Sequence, residues 1–311
     1  MVIPADILGF IKAHEFDRVL SVYVARGAHH TPTVHTPADT DIQARAMELV
    51  QALPQVPGMA GAMCLFAEDG DHVEALLPVA PTPMVRWSVG PIIVPFLAAN
   101  YSDGFVIVHL TEQYVTLSRL QRGVMHLLDE CAITPNDDTC LIGVAKKLGI
   151  IAGSDGYVVV GGAATVAERL KALLPPDLAQ RCVLAPAMTR QTPVDELADC
   201  AMPAMQHLLT ARQSDTLRKM KTKAHLTRRA SFGLSDVAAA AKEGAVDRLL
   251  ISDSLWRRNP QDVELLAQQA LRSGAVVDVV TPACAQQLDS EAGGIAAGLR
   301  RAVTGAVQSR R

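Results

Sequence analysis

Apolar and polar positions along this chain alternate between a two-residue rhythm and a helical one, so strands and helices are interleaved rather than segregated. A short amphipathic helix, Ala5–His14, opens the pattern, and the β-prone run Arg18-Val-Leu-Ser-Val-Tyr-Val24 follows. Next come a polar loop over Arg26–Asp39 and a helix over Asp41–Leu53, where Ile42, Ala46, Leu49 and Val50 share one face. The run Gly61–Ala67 predicts a buried strand that turns at Asp69-Gly70, and two further strands are expected at His72–Leu77 and Met84–Val89. Pro78, Pro81 and Pro83 lie between those two and belong in a loop or at a sheet edge.

From residue 101 the pattern continues with Phe105–Leu110 and Tyr114–Leu117, read as a hairpin across Thr111-Glu-Gln113. A helix is expected over Gly123–Glu130, and Asp138 is placed to cap another over Thr139–Leu148. Gly156–Lys171 reads as strand, glycine turn and helix, with Pro175 and Pro176 ending it. A strand at Cys182–Ala185 leads to a long helical region, Val194–Lys223. Beyond residue 231 the order is a helix from Leu234 stopped by Gly244, a strand at Asp247–Ser252, a helix over Pro260–Ser273 and a strand at Val276–Val280; Glu291–Arg300 closes the segment. This predicts an α/β protein of three small domains, each a mixed sheet flanked by helices: residues 1–100, 101–210 and 231–311, with 211–230 as a basic helical linker.

Composition narrows the classes. With 49% hydrophobic and 20% charged residues the chain has enough apolar surface to fold and is not a disordered polymer. No apolar run approaches the length of a membrane span. The beginning, MVIPADILGFIKAHEFDR, has no basic n-region or small-residue cleavage site, so a cytoplasmic protein is expected. Six scattered cysteines without a CxxC pair predict buried, reduced thiols rather than disulfides or a zinc knuckle.

The strongest electrostatic signal is local. Between residues 212 and 229 the chain carries Arg212, Arg218, Lys219, Lys221, Lys223, Arg228 and Arg229 together with His225, against the single acid Asp215. On a helix end and the linker after it, these charges make a strip suited to phosphate backbones; the alternative is an ordinary solvated helix. Phe232 is the one aromatic nearby, which favours backbone contact over base stacking. Other groups point to simpler roles. Gly161-Gly162 lacks the Lys-Ser/Thr of a phosphate loop and reads as close packing of strand on helix. His29, His30 and His35, with Asp39 and Asp41 downstream, read as a solvated loop rather than a metal site. His109 on a strand and His126 on a helix read as ordinary partly buried histidines, and no Gly-x-Ser-x-Gly elbow anchors a hydrolase triad. No catalytic, metal or cofactor site is expected.

The order of signals carries a resemblance. Phe232-Gly-Leu-Ser-Asp-Val, Glu243–Ser252, Leu271–Val280 and Gly293-Gly-Ile-Ala-Ala297 together resemble the C-terminal domain of the archaeo-eukaryotic class 1 release factor and Pelota family, whose fold is shared with ribosomal proteins that bind RNA kink-turns. Gly104-Phe-Val-Ile-Val, the hairpin and Val158-Val-Val-Gly-Gly-Ala resemble that family's middle domain, and Leu20-Ser-Val-Tyr-Val24 resembles the N-terminal domain of bacterial members. One departure matters: Gly161-Gly162 precedes Ala163 and Gly293-Gly294 precedes Ile295, so neither pair makes the Gly-Gly-Gln of the hydrolytic members. The matching loop is the acidic, glycine-free stretch Cys131–Asp138, and the stop-codon motif Asn-Ile-Lys-Ser is absent. The resemblance therefore implies a bacterial factor that binds ribosome and rRNA, in rescue, quality control or hibernation, without hydrolysing peptidyl-tRNA. A translational GTPase is an implied partner; DNA and membrane are not. The competing readings are a metal-dependent hydrolase or nuclease and a protein–protein adaptor in stress response.

Overall fold

The computed structural model describes residues 5–25, 61–77, 81, 83–99, 105–121, 124–134, 138–153 and 156–303. The loop and helix expected over 26–53, with the histidines at 29, 30 and 35, lie outside these residues. Three mixed or antiparallel sheets flanked by helices appear among them, the α/β class that the interleaved periodicities predict. The chain divides into two compact units: Met1–Pro54, Ala60–Tyr101 and Leu209–Arg311 form one, and Gln55–Met59 with Ser102–Leu208 the other.

In the first unit, α1 (Ala5–Ala13) precedes β1 (Arg18–Ala25), β2 (Gly61–Ala67), β3 (His72–Leu77) and β4 (Met84–Val89), paired antiparallel in the order β3-β2-β1-β4. The β2–β3 hairpin turns at Asp69-Gly70, where Gly70 adopts φ +93°. Strand β1 is buried on both faces. Val19 and Tyr23 join Ile7, Phe10 and Ile11 of α1 in the main core, while Leu20 and Val22 pack with Cys64 and Phe66 on the opposite side. A short helix, α2 (Val94–Ala99), follows β4.

The same unit holds a second sheet, ordered β10-β13-β11-β12: β10 (Ala230–Phe232), β11 (Val246–Ile251), β12 (Val276–Val279) and β13 (Ile295–Leu299). Strands β11 and β12 run parallel, as the βαβ alternation implies, and β13 returns antiparallel between β10 and β11. Four helices of this segment, numbered after those of the other unit, are α7 (Leu234–Lys242), α8 (Asp253–Arg258), α9 (Pro260–Arg272) and α10 (Pro282–Ala292). The residues expected merely to close the segment, Glu291–Arg300, are instead the end of α10, the left-handed cap Gly293 at φ +63° and the strand β13.

One continuous core joins the two sheets, with Phe96 and Leu97 beside Val263, Ala267 and Leu271 of α9. At its centre the Glu264 carboxylate accepts the main-chain amides of Ile93 (2.8 Å) and Val94 (3.1 Å) and the indole N–H of Trp256 (2.8 Å). The Gln268 side-chain amide donates to the Pro91 carbonyl at 2.6 Å one turn further on. Burial pushes the Glu264 carboxyl up to about 7, while the three donors pull the other way.

In the second unit, β5 (Phe105–Leu110), β6 (Tyr114–Gln121), β7 (Val124–Ala132), β8 (Tyr157–Gly162) and β9 (Cys182–Thr189) form a sheet ordered β7-β6-β5-β8-β9. Helices α3 (Thr139–Ala152), α4 (Ala164–Leu173) and α5 (Pro176–Ala179) belong to this unit. A single turn, Val194–Glu196, leads into α6 (Leu197–Thr227), which begins here and whose residues from Leu209 onward count with the first unit.

Three local expectations are corrected. Gly123–Glu130 reads as helical in the sequence, yet from Val124 onward it is β7, which pairs His126 with Arg119 and Cys131 with Val115. Leu127, Leu128 and Cys131 have helical spacing, but the open hydrogen bonds of β6 are satisfied only by a neighbouring strand. His126 thus lies on an exposed strand. Asp138 precedes α3 but makes no side-chain cap; its carboxylate accepts from Arg169 on α4 instead. Gly161-Gly162 is a close approach of strand to strand rather than strand to helix. A Cβ on Gly161 would sit 2.4 Å from the Met188 Cβ, and one on Gly162 (φ +110°) 1.9 Å from the Leu110 carbonyl oxygen.

This packing is open to two tests. Gly162→Ala combines a positive φ with a main-chain collision, so it should cost about 3 kcal/mol or more in denaturant unfolding. For Glu264, the native carboxyl holds its proton up to about 7 and the unfolded one only to an ordinary 4.5. The native state therefore binds more protons inside that window, and the Glu264 contribution falls as pH rises through it, by an amount on the order of 3 kcal/mol. Glu264→Gln should flatten guanidinium stability between pH 4.5 and 7. It should leave the decline above 6.5 that belongs to His14, where burial opposes but Asp71 and Asp17 together raise the pKa. An unchanged profile between pH 4.5 and 7 in the variant would refute the assignment.

Candidate nucleic-acid interface

The basic residues between 212 and 229 sit on the second half of α6 and the turn after it, and the helix is longer than the periodicity indicated, reaching Thr227. One face is fixed to the last sheet. Leu217 and Met220 are buried against Leu250, Val280, Cys284 and Leu288. Gln213, also buried, donates to the Val279 carbonyl (3.3 Å) and accepts the Thr281 amide (2.8 Å), binding the helix to the end of β12. With that face committed, the remaining positions turn outward.

Arg218 and Lys219 are 78% and 71% exposed, and Lys223, Arg228 and Arg229 are exposed as well. Arg212 is half-buried. Lys221 is also half-buried and pairs with Glu291 of α10, which holds that carboxylate below its ordinary range. Lys219 and Arg218 both reach Asp215 and lower its carboxylate in turn. Such exposed pairs are worth little in water, about 0–1 kcal/mol, so Asp215 does not bar Arg218 or Lys219 from phosphates. His225 is exposed between them. Phe232 is half-buried against Leu217 and its neighbours and is not presented as a stacking platform.

The turn after the helix is unusual. Arg228 takes φ +53°, the one non-glycine residue with positive φ among the described residues. The left-handed step lets the Arg229 amide donate to the Lys223 carbonyl (3.3 Å) and its carbonyl accept the Leu299 amide (3.1 Å), so the chain enters β10 directly. Arginine in this conformation costs about 1–2 kcal/mol relative to an ordinary backbone.

The remaining sequence candidates take structural places. His109 is buried and its Nε2 lies 2.8 Å from the Thr189 carbonyl. All six cysteines are free; Cys64, Cys182 and Cys284 are buried as expected, whereas Cys131, Cys140 and Cys200 are partly exposed. Burial pushes the Cys64 thiol up to about 12 and the Cys182 thiol to about 11, so neither is a ready thiolate. Gly294 (φ +89°) is packed so that a Cβ would meet Leu255, Asp289 and Ser252 within 2.8 Å. Among the described residues no three His, Cys, Asp or Glu side chains gather to hold a metal, and no helix is long and apolar enough to cross a membrane.

Residues 211–303 match the family model for eRF1 domain 3, an interval that contains the whole strip and all of β10–β13. A protein pelota homolog of Methanothrix thermoacetophila is 30% identical over 183 residues, which cover 54% of this chain and 50% of that one. Part of the chain is thus similar to domain 3 of the release factor family, and a stretch of 183 residues is similar to a pelota homolog. The chain spans half the length of that curated Pelota relative. Among solved structures, Archaeoglobus fulgidus Pelota is 16% identical, with 96% of this chain and 93% of that one covered and a TM-score of 0.44. A ribosome-bound archaeal Pelota, described with ABCE1, is 14% identical with 96% and 94% covered and a TM-score of 0.49.

Sequence reasoning missed Glu264 and Gln268. A signal existed: from Pro260 the helical repeat puts both on the face of Val263, Ala267 and Leu271, and charged or amide groups on a buried stripe need partners. Relief of the left-handed strain supplies a test of the turn. Arg228→Gly should stabilise the protein by about 0.5–1 kcal/mol in denaturant unfolding, whereas Arg228→Ala should leave stability nearly unchanged. Both should weaken any polyanion contact by the loss of one charge; a loss of stability in the glycine variant would contradict the strained geometry.

Proposed function

We propose that this chain is a ribosome-binding factor of the Pelota and release factor type, and that it grips rRNA phosphates with the outer face of α6 and the turn after it. The observation that carries the reading is the two-sided helix. Leu217, Met220 and Gln213 anchor one face, while Arg218, Lys219, Lys223, Arg228 and Arg229 stand in water on the other. Arg218 and Lys219 share only Asp215, a weak pairing in water, and Lys223, Arg228 and Arg229 make no ion pair among the described residues. The eRF1 domain 3 match over 211–303 and the Pelota relative support the setting. The scarcity of aromatics around the strip supports contact with phosphates rather than bases, because stacking needs exposed rings.

In this reading the protein acts in the cytoplasm by occupying the ribosome, in rescue, quality control or hibernation, and a translational GTPase is the partner class that the family implies. Peptidyl-tRNA hydrolysis is not part of it. The Gly-Gly-Gln tripeptide is missing, and Gly161-Gly162 and Gly293-Gly294 are followed by Ala163 and Ile295. Gly161, Gly162 and Gly294 are closely packed and Gly293 is the left-handed cap of α10, a poor arrangement for a loop that must enter a reaction centre.

The test uses Lys219→Glu, Lys223→Glu and Arg229→Glu together, leaving Lys221 in its pair with Glu291. Co-sedimentation with ribosomes should weaken by about 100-fold or more at low salt. The slope of log affinity against log salt should fall by roughly 2–3, near one for each phosphate no longer neutralised. Unfolding and circular dichroism should remain those of the parent, since the side chains are exposed. Undiminished binding would remove the strip from the mechanism, and peptide release from loaded ribosomes by the parent protein would overturn the binding-only reading.

A further inference from the structure

The groove beside β4 is a second surface with its own chemistry. A cavity of about 370 Å³ runs between β4 and α9 within the first unit. Met84, Arg86, Trp87, Ser88 and Val89 all line it. Successive strand residues point to opposite faces, so a cavity touched by both parities meets the strand along its edge and not on a face. Among the described residues no strand pairs with that edge, because β4 is the terminal strand of its sheet.

The register identifies the groups on offer. The Gly90 amide donates to the Asp17 carbonyl at 2.9 Å, so Asp17 and Gly90 are a hydrogen-bonded pair; Ser88, Arg86 and Met84 then face β1 in turn. The main-chain N–H and C=O groups of Val85, Trp87 and Val89 point the other way, away from β1, and Trp87 and Val89 line the groove. The Trp87 indole N–H beside them is also out of water and has no acceptor among the described residues. Around this edge three large apolar side chains stand in solvent: Phe16 at 80%, Val89 at 70% and Leu265 at 52% exposed.

We infer that the β4 edge is a docking site for an extended segment of another polypeptide, which adds a fifth strand to the sheet and lays apolar side chains between β4 and α9. The occupant is identified by what the groove lacks. Donors and acceptors spaced two residues apart are matched by a peptide backbone, and neither a lipid nor a nucleic acid supplies that repeat. Charge completes the description. Glu15 is paired with Arg272, and Glu264 is buried with its three donors. Arg86 is exposed at the lining and acts on the buried Glu264 only at a distance, with no close ion pair among the described residues, so the segment carries a carboxylate opposite it. The site does not depend on the ribosome reading.

The two tryptophans of the chain, Trp87 and Trp256, both line this groove, so tryptophan fluorescence responds to its occupation. The probe is a blocked hexapeptide of valines and leucines with one central aspartate, titrated into the full chain. A saturable blue shift with a dissociation constant on the order of tens of micromolar is expected. N-methylation of alternate peptide amides should weaken it by about tenfold or more, because it removes the donors on one edge. Arg86→Glu should lose the aspartate peptide and gain the same peptide with lysine in its place; this exchange of preference separates a missing charge pair from a misfolded protein. Equal binding of the methylated peptide, absence of a saturable shift, or occupation of the edge by a second copy in sedimentation equilibrium would each overturn the proposal.

Discussion

Much of the first unit hangs on one buried carboxylate. Ile93 and Val94 begin α2 with amides that no helical carbonyl can reach, and Glu264, contributed from 171 residues further along, accepts both. Bringing those positions together costs about 4–5 kcal/mol of loop-closure entropy before any contact repays it. The repayment comes from the apolar surface around the carboxylate, where Phe96 and Leu97 meet Val263 and Ala267. The carboxylate adds direction to that burial, because an apolar residue in its place would leave two amides and an indole without acceptors. The raised carboxyl pKa is the cost of the arrangement. It ties the union of the two sheets to pH as well as to packing.

The same logic places the cationic strip. A helix with charges on every side would have no preferred orientation, but α6 presents Gln213, Leu217 and Met220 to the last sheet in successive turns. The outer positions follow from the inner ones by the 3.6-residue repeat. Their location is therefore set by burial, while their affinity for a polyanion is set by charge. These two properties can be altered independently, which is rarely true of residues in a cleft.

Strands β1, β2, β5 and β8 were legible in the sequence because their apolar runs are short, β-branched and bounded by turns, and α9 because its stripe is regular. The rest depended on partners far away. β7 has leucines at helical spacing, and only the pairing with β6 makes it a strand. Strand β13, Ile-Ala-Ala-Gly-Leu, has weak strand propensity and exists because β10 and β11 leave a slot between them. The strip of arginines and lysines was visible as composition. That its helix would be pinned along one face was not, since Cys284 and Leu288 come from α10, a helix that the periodicity did not reveal.

The glycine pairs serve packing and turning rather than chemistry. In Gly161-Gly162 the missing side chains allow β8 to lie against Met188 and the Leu110 carbonyl, and in Gly293-Gly294 they let α10 turn into β13 beside Leu255 and Asp289. Gly161, Gly162 and Gly294 are held by close neighbours, and Gly293 forms the left-handed cap of α10. A hydrolytic tip needs the opposite, glycines that remain mobile at the end of an exposed loop. The sequence between β7 and α3 offers none. What the described residues leave exposed is charge along α6 and the strand edge of β4, and association at an exposed surface is what the proposed function calls on.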